Sequence, residues 1–287
     1  MTAPALGRYG AYLSATDYHN VFPRGRVQVL EDLGFGTVWI AGNAPGDLEI
    51  PESVLAQTKS AAVGTAIVNV WAEPPGKVAE SFHRVEQEYP GRLILGIGIG
   101  HRELVGGTYQ KPYAMLSDYL EQLRLLDVPA DRIILAALRT KVLRLAAHRA
   151  AGALPFFTTV EHTKNAREML GKEPTLAVVQ SFVTADDRGT NRSIVRDWAA
   201  TYLKFTNYVN NLRENGFPEL QPGGQPSEAL LDALVPLGGA VETAMRIDEH
   251  LAAGANHVPV YPIPGPGDPI DAFRALAAQL PGDDREN

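Results

Sequence analysis

An imidazole stands at the end of the apolar run Leu93-Ile94-Leu95-Gly96-Ile97-Gly98-Ile99-Gly100-His101. A histidine there can take or give a proton near neutral pH, or donate a hydrogen bond to a bound ring. Gly98 and Gly100 leave bare backbone beside it, where a ligand can approach closely. A solvated loop histidine is the plain alternative, and the strand-end position favours function. Asn69 is an amide inside the otherwise apolar, β-branched run 65–71. A buried amide needs partners, so it satisfies a bulge, closes a strand-end turn or touches a ligand. In Arg139-Thr140-Lys141, Thr140 is placed to cap a following helix. The free N–H groups of such a first turn bind anions, and Arg139 adds a bidentate donor. The same pattern occurs as often with no ligand at all. Leu237-Gly238-Gly239 precedes a second helix and is equally ambiguous.

Other chemistries are missing. The seven histidines show neither HxH nor HxxxH spacing, so no metal site is expected. There is no cysteine and no serine in a GxSxG turn. The glycines at 96, 98 and 100 imitate a dinucleotide fingerprint, but they lie within a strand and no helix opens on the last of them. With no protein nucleophile, the hard chemistry falls to a cofactor.

The positioning elements alternate. Strand-like runs are expected at 9–13, 37–41, 65–71, 93–99, 132–137, 154–158, 176–184 and 257–261. Helical runs are expected at 22–33, 52–61, 77–89, 117–126, 141–151, 163–170, 193–203, 205–215, 241–253 and 271–280. The strands read as short apolar runs, which favours parallel pairing. Eight of them with helices between give the count of a (β/α)8 TIM barrel, with a doubly wound sheet as the alternative. No linker divides the 287 residues, so one domain over 1–287 is expected, and the Pro/Gly-rich stretch 216–226 reads as an insertion in the C-terminal third. A net charge of −7 without a basic run argues against nucleic acid and anionic membranes as partners. No apolar run reaches spanning length, and residues 1–9 do not read as a signal peptide, so a cytoplasmic protein acting on a small-molecule substrate is expected.

Several pieces occur in the order of a known family. Leu33-Gly34-Phe35-Gly36-Thr37-Val38-Trp39 is similar to its corner from first helix to second strand. Gly64-Thr65-Ala66-Ile67-Val68-Asn69-Val70-Trp71 with Pro74 resembles its third strand, and residues 90–100 its fourth. Leu143 to Ala147 with Gly152-Ala153, then 159–163, 208–212 with Gly216-Phe217, and 252–258 follow in register. On these residues the chain resembles the luciferase-like (LLM class) flavin and deazaflavin oxidoreductases, in particular the coenzyme F420-dependent branch.

The resemblance implies a barrel with a flavin-like ring at its carboxyl face. It implies a bulge in strand three near Ala66 and Ile67, often with a cis peptide, that props the ring, with Asn69 beside it. His101 falls where related sugar-phosphate dehydrogenases carry a glutamate acid. The phosphate-bearing tail would run over Ala137, Leu138, Arg139 and Thr140, with Thr158 and Thr159 at the mouth. Two departures stand out. The family's Gly-Pro type turn after strand five is Leu138-Arg139-Thr140 here, and Ala41-Gly42-Asn43 lacks the histidine many deazaflavin members carry after strand two. The second speaks against the glucose-6-phosphate type of reaction. The resulting expectation is a homodimeric, coenzyme F420-dependent hydride-transfer enzyme with His101 as its proton donor. An FMN-dependent monooxygenase and a ligand-binding barrel without turnover are the alternatives.

Overall fold

The computed structural model describes residues 4–14, 18–19, 25–185, 187–265 and 267–281. Its strands are β1 (Tyr9–Ser14), β2 (Thr37–Ala41), β3 (Ala62–Ala66), β4 (Val68–Asn69), β5 (Leu93–Gly98), β6 (Ile133–Leu135), β7 (Gly152–Ala153), β8 (Thr175–Leu176), β9 (Gln180–Phe182) and β10 (Val258–Pro262). Every pairing is parallel, in the order β8-β7-β6-β5-β3-β2-β1-β10-β9, with β4 beside β5. β8 and β9 are two pieces of one run. Its first half pairs with β7 and its second with β10, and Ala177 bridges His257 between them. The sheet therefore closes, and eight strand positions form the expected (β/α)8 barrel.

The helices are α1 (Gln28–Asp32), α2 (Glu49–Leu55), α3 (Pro75–Glu88), α4 (Arg102–Val105), α5 (Pro112–Leu125), α6 (Thr140–Arg149), α7 (Val160–Leu170), α8 (Arg188–Tyr202), α9 (Thr206–Glu214), α10 (Glu228–Leu234), α11 (Gly239–Ala252) and α12 (Pro269–Ala277). Alternation along each strand sorts side chains to two sides. Val38 and Ile40, like Leu93, Leu95 and Ile97, pack outward under the helices, whereas Trp39, Ala41 and Ile94 fill the barrel. Trp39 plugs the interior and donates to His257 Nε2 at 2.9 Å. A Cβ on Gly64 would lie 2.3 Å from its ring, so glycine there makes room for the plug.

A third apolar cluster lies outside the barrel. Val195, Trp198, Leu203, Tyr208, Val209, Leu230 and Leu234 bury one another on α8, α9 and α10, between β9 and α11. This is the C-terminal insertion, larger than the Pro/Gly-rich stretch that signalled it. Sequence reading missed α10 altogether. Strand three begins at Ala62, three residues before the expected start at Thr65 and directly after the expected helix 52–61, because alanine carries no strand signature. Strand six is Gly152–Ala153, earlier than the expected 154–158. A Cβ on Gly152 would sit 1.9 Å from the Thr175 carbonyl oxygen, so this glycine belongs to the ladder and not to a helix end. The expected helix 22–33 is described only from residue 25, its start lying outside the described residues. Among the described residues, no helix is long and apolar enough to cross a membrane.

Candidate functional site

The floor of the site is a break in strand three. Thr65 puts its hydroxyl into the ladder, accepting from the Gly96 N–H at 2.8 Å and donating to the Gly96 carbonyl at 3.0 Å. The Thr65 carbonyl presses so close that a Cβ on Gly96 would lie 1.8 Å from it. The Ala66–Ile67 peptide is cis, and Ile67 pairs with the turn after β2, donating to the Gly42 carbonyl at 2.9 Å. Its side chain then lies over Gly98, where a Cβ would meet it at 3.1 Å. Strand pairing resumes at Val68 and Asn69. Gly98 is thus buried beneath Ile67 rather than open to a ligand. Gly100, at φ +56°, faces Asn69 Nδ2. Gly96 and Gly98 are explained by the bulge, which corrects the idea that Gly98 forms part of a bare floor, whereas Gly100 borders the cleft beside Asn69.

Asn69 has partners. Its Oδ1 accepts from the Trp71 N–H at 3.0 Å, and its Nδ2 donates to Asn43 Oδ1 at 3.3 Å. It closes the turn after the bulge and borders the cleft as well. Trp71 is pinned in turn, its indole donating to the Ile99 carbonyl at 2.9 Å.

His101 precedes the short α4 in extended backbone, φ −118°. Its ring stacks on Phe205 at 4.3 Å and leans on Tyr208 at 4.7 Å. Nδ1 is buried with no hydrogen-bond partner. Burial lowers the pKa of the ring below its ordinary value, a shift that nearby Glu103 opposes. Glu103 itself accepts from the Thr206 N–H at 2.9 Å, tying the loop after β5 to α9.

Around His101 stands a wall of rings that the sequence reading missed. Tyr12 of β1 stacks on Phe156 at 5.8 Å and meets Tyr261 of β10 edge-on at 5.6 Å. Phe156 also touches Tyr202 at 5.1 Å and Tyr208 at 6.2 Å. Burial pushes the phenol pKa values of Tyr12, Tyr202 and Tyr208 upward, so these hydroxyls stay protonated at neutral pH.

The turn after strand five is placed differently from expectation. The helix begins at Thr140, and Arg139 occupies the cap position without a side-chain cap, so Thr140 is not the N-cap. Arg139 turns outward to Glu214 of α9 and forms an ion pair about half exposed to solvent. The Leu138 carbonyl accepts from His162 Nε2 at 2.7 Å. Thr158 and Thr159 are buried and do not line the cleft. Because strand six ends at residue 153, the chain turns through 155–157, and Thr159 caps α7 by accepting from the His162 N–H at 3.3 Å.

Two connected lobes result at the carboxyl ends of the strands. The wider, of about 570 Å³, is bounded by Ala66, Ile67, Asn69, Gly100 and His101 with the ring wall. The narrower, of about 160 Å³, runs from the same His101 along Ala137, Leu138 and Arg139. Thr140 borders a separate small cavity with Asn211 and Glu214. The structure thus brings together eight of the twelve sequence-derived residues and leaves out Gly98, Thr140, Thr158 and Thr159. No cluster of His, Cys, Asp and Glu able to hold a metal is found among the described residues.

Residues 22–253 match the family described as luciferase-like monooxygenase. A curated relative, the F420-dependent glucose-6-phosphate dehydrogenase of Nakamurella multipartita, is 30% identical over 111 residues. That match spans 35% of this chain and only 32% of the relative. A solved F420-dependent secondary alcohol dehydrogenase, in complex with an F420-acetone adduct, superposes with a TM-score of 0.71 at 16% identity, covering 98% of this chain and 99% of its own. The coenzyme F420-dependent tetrahydromethanopterin reductase of Methanopyrus kandleri gives 0.69 at 17% identity, over 96% and 99%. The oxygenating constituent of 3,6-diketocamphane monooxygenase of Pseudomonas putida, in complex with FMN, gives 0.67 at 14%, over 96% and 98%. Likeness at these identities speaks for the fold alone.

Proposed function

We infer the activity from one premise: this chain belongs to the luciferase-like monooxygenase family. The reading it supports is a coenzyme F420-dependent oxidoreductase that moves a hydride between the deazaflavin ring and a small organic substrate. The observation that carries it is the cleft itself: a ring-walled space over the strand-three bulge, with no charged side chain in its described lining and a half-buried imidazole on its rim. The curated relative is named as F420-dependent, which tilts the reading toward the deazaflavin.

The residues fit such a group. Ala66, Ile67 and Gly100 offer a flat, apolar face for a tricyclic ring. The narrow lobe leads to the start of α6, a ten-residue helix whose first turn has no side-chain cap. A phosphate near that end gains on the order of 0.3–1 kcal/mol from the helix dipole. When bound, the coenzyme supplies a carbon that accepts or gives a hydride, chemistry that no side chain here provides. The protein's part is orientation, exclusion of water by the rings, and custody of one proton. The half-buried, neutral His101 ring takes the hydroxyl proton when an alcohol is oxidised and returns it when a carbonyl is reduced.

The test is a parallel titration of the protein with coenzyme F420 and with FMN, followed by quenching of each cofactor's fluorescence. Tighter saturable binding of coenzyme F420 is the expected outcome. Tighter binding of FMN, with oxygen uptake once it is reduced, would establish the monooxygenase instead. Binding of coenzyme F420 with no redox change toward any alcohol or carbonyl would leave a ligand-binding barrel.

A further inference from the structure

Charge is missing from the wide lobe. Its described lining contains no Asp, Glu, Lys or Arg. Six aromatic side chains, Tyr12, Trp71, Phe156, Tyr202, Tyr208 and Tyr261, stand in its wall. Of the charged groups nearby, Glu103 is engaged with the Thr206 N–H, and Arg139 lies in the narrow lobe, held by Glu214. The phenols of Tyr12, Tyr202 and Tyr208 remain protonated and His101 remains neutral, so the described lining of the lobe carries no net charge near pH 7. The polar groups it offers are uncharged: the amides of Asn43 and Asn69, the hydroxyls of Ser14 and Thr108, the phenols of the four tyrosines and the ring of His101.

A phosphate ester entering this space would shed its hydration without meeting a counter-charge, which is a large penalty. A flat or cyclic apolar molecule would instead stack on the rings, and one hydroxyl or carbonyl would suffice to reach His101. We propose that the substrate of this lobe is an uncharged, ring-bearing alcohol or its ketone, and not a phosphorylated sugar. The proposal rests on the oxidoreductase reading above and deepens it. In the oxidising direction the carbinol C–H bond breaks and its hydride passes to coenzyme F420. The O–H proton goes to His101, and the C=O double bond forms from the remaining pair. Tyr202, carried by the insertion, becomes a specificity residue for that ring, a role distinct from the barrel's own strands.

Isothermal titration of the cofactor-free protein with 1-phenylethanol, acetophenone and glucose 6-phosphate tests the substrate class. Saturable binding of the two neutral compounds, and none of the sugar phosphate at the same concentrations, is expected. Tyr202→Ala should weaken the neutral compounds about two- to tenfold, the span of one aromatic contact, while Tyr202→Phe retains them. The wild-type comparison stands by itself should the alanine variant fail to fold. Saturable binding of glucose 6-phosphate, or no binding of either neutral compound, overturns the proposal. A separate titration with coenzyme F420 keeps the two readings apart. Neutral-ring binding without coenzyme binding would sink only the cofactor assignment, and coenzyme binding with sugar-phosphate binding would sink only the substrate class.

Discussion

At the residue scale the proposed chemistry rests on His101, whose environment sets the pH response to be expected. Burial lowers its pKa from the ordinary 6.5, so the neutral, proton-accepting form persists to lower pH than for a free histidine. Alcohol oxidation should therefore stay level through neutrality and fall only below pH 6.5, which a profile of kcat against pH will check. His101→Ala should lower turnover by roughly 10²–10⁴-fold with little change in coenzyme affinity. A variant that keeps its rate would make the ring a wall residue. Arg139 is the second test at this scale. Its pair with Glu214 is exposed, and such pairs contribute little, so the guanidinium is free to exchange its carboxylate for a phosphate. Arg139→Ala should weaken coenzyme binding about tenfold and Glu214→Gln should strengthen it, both read by fluorescence titration. His101, Gly100 and Asn69 were legible because polar or glycine residues interrupt apolar strands. The ring wall was not legible, because Tyr12, Phe156, Tyr202, Tyr208 and Tyr261 come from distant segments and each alone reads as core. Gly96 and Gly98 were noticed for the wrong reason. They accommodate a neighbouring strand's bulge, which one strand's own sequence does not display.

The elements place these residues through shared hydrogen bonds. The strand-three bulge works because the Thr65 hydroxyl replaces the ladder bonds that the backbone gives up at Gly96. Behind the insertion, a buried chain joins α7, α11 and β9: Thr163 Oγ1 lies 2.7 Å from His250 Nδ1, and His250 Nε2 lies 2.9 Å from Gln180 Oε1. The Gln180 oxygen only accepts, so Nε2 carries the proton and Thr163 donates to Nδ1. Burial, with Arg246 and His162 adding, brings the His250 pKa down to about 3. The unfolded chain binds this proton near pH 6.5, so it holds more protons than the native state between that pH and about 3. Stability from this group is full above the upper value and is lost as pH falls through the window. Urea unfolding should show about 2–3 kcal/mol less stability near pH 4.5 than at neutral pH from His250, and a His250→Gln variant should lose much of that slope. An equal slope in the variant would remove His250 as its source. At this scale the sequence reading was sound where strands were β-branched. It slipped at Ala62 and at Gly152, where small residues form strands because a neighbour's backbone leaves no room for larger ones.

The whole molecule divides its labour between the two ends of the barrel. The amino-terminal end is built for stability. Arg132, 1% exposed, pairs with Glu86 at 2.6 Å and also donates to the Leu93 carbonyl at 3.1 Å. Removing one partner strands a buried charge, so Arg132→Ala should cost about 3–5 kcal/mol in urea unfolding while the folded fraction keeps its coenzyme affinity. The carboxyl end is built for binding, and the insertion of α8 to α10 supplies its outer rings. The alternation of eight apolar strands with helices made the barrel legible. The insertion's depth was not, since its helices differ from barrel helices only in what they pack against. The most direct check on the central claim is the pair of fluorescence titrations, coenzyme F420 against FMN, on the purified wild-type protein. This account predicts saturable quenching with coenzyme F420 at lower concentration than with FMN, and bleaching of the bound coenzyme when a neutral ring-bearing alcohol is added. Tighter FMN binding, with oxygen consumption by the reduced complex, would contradict it.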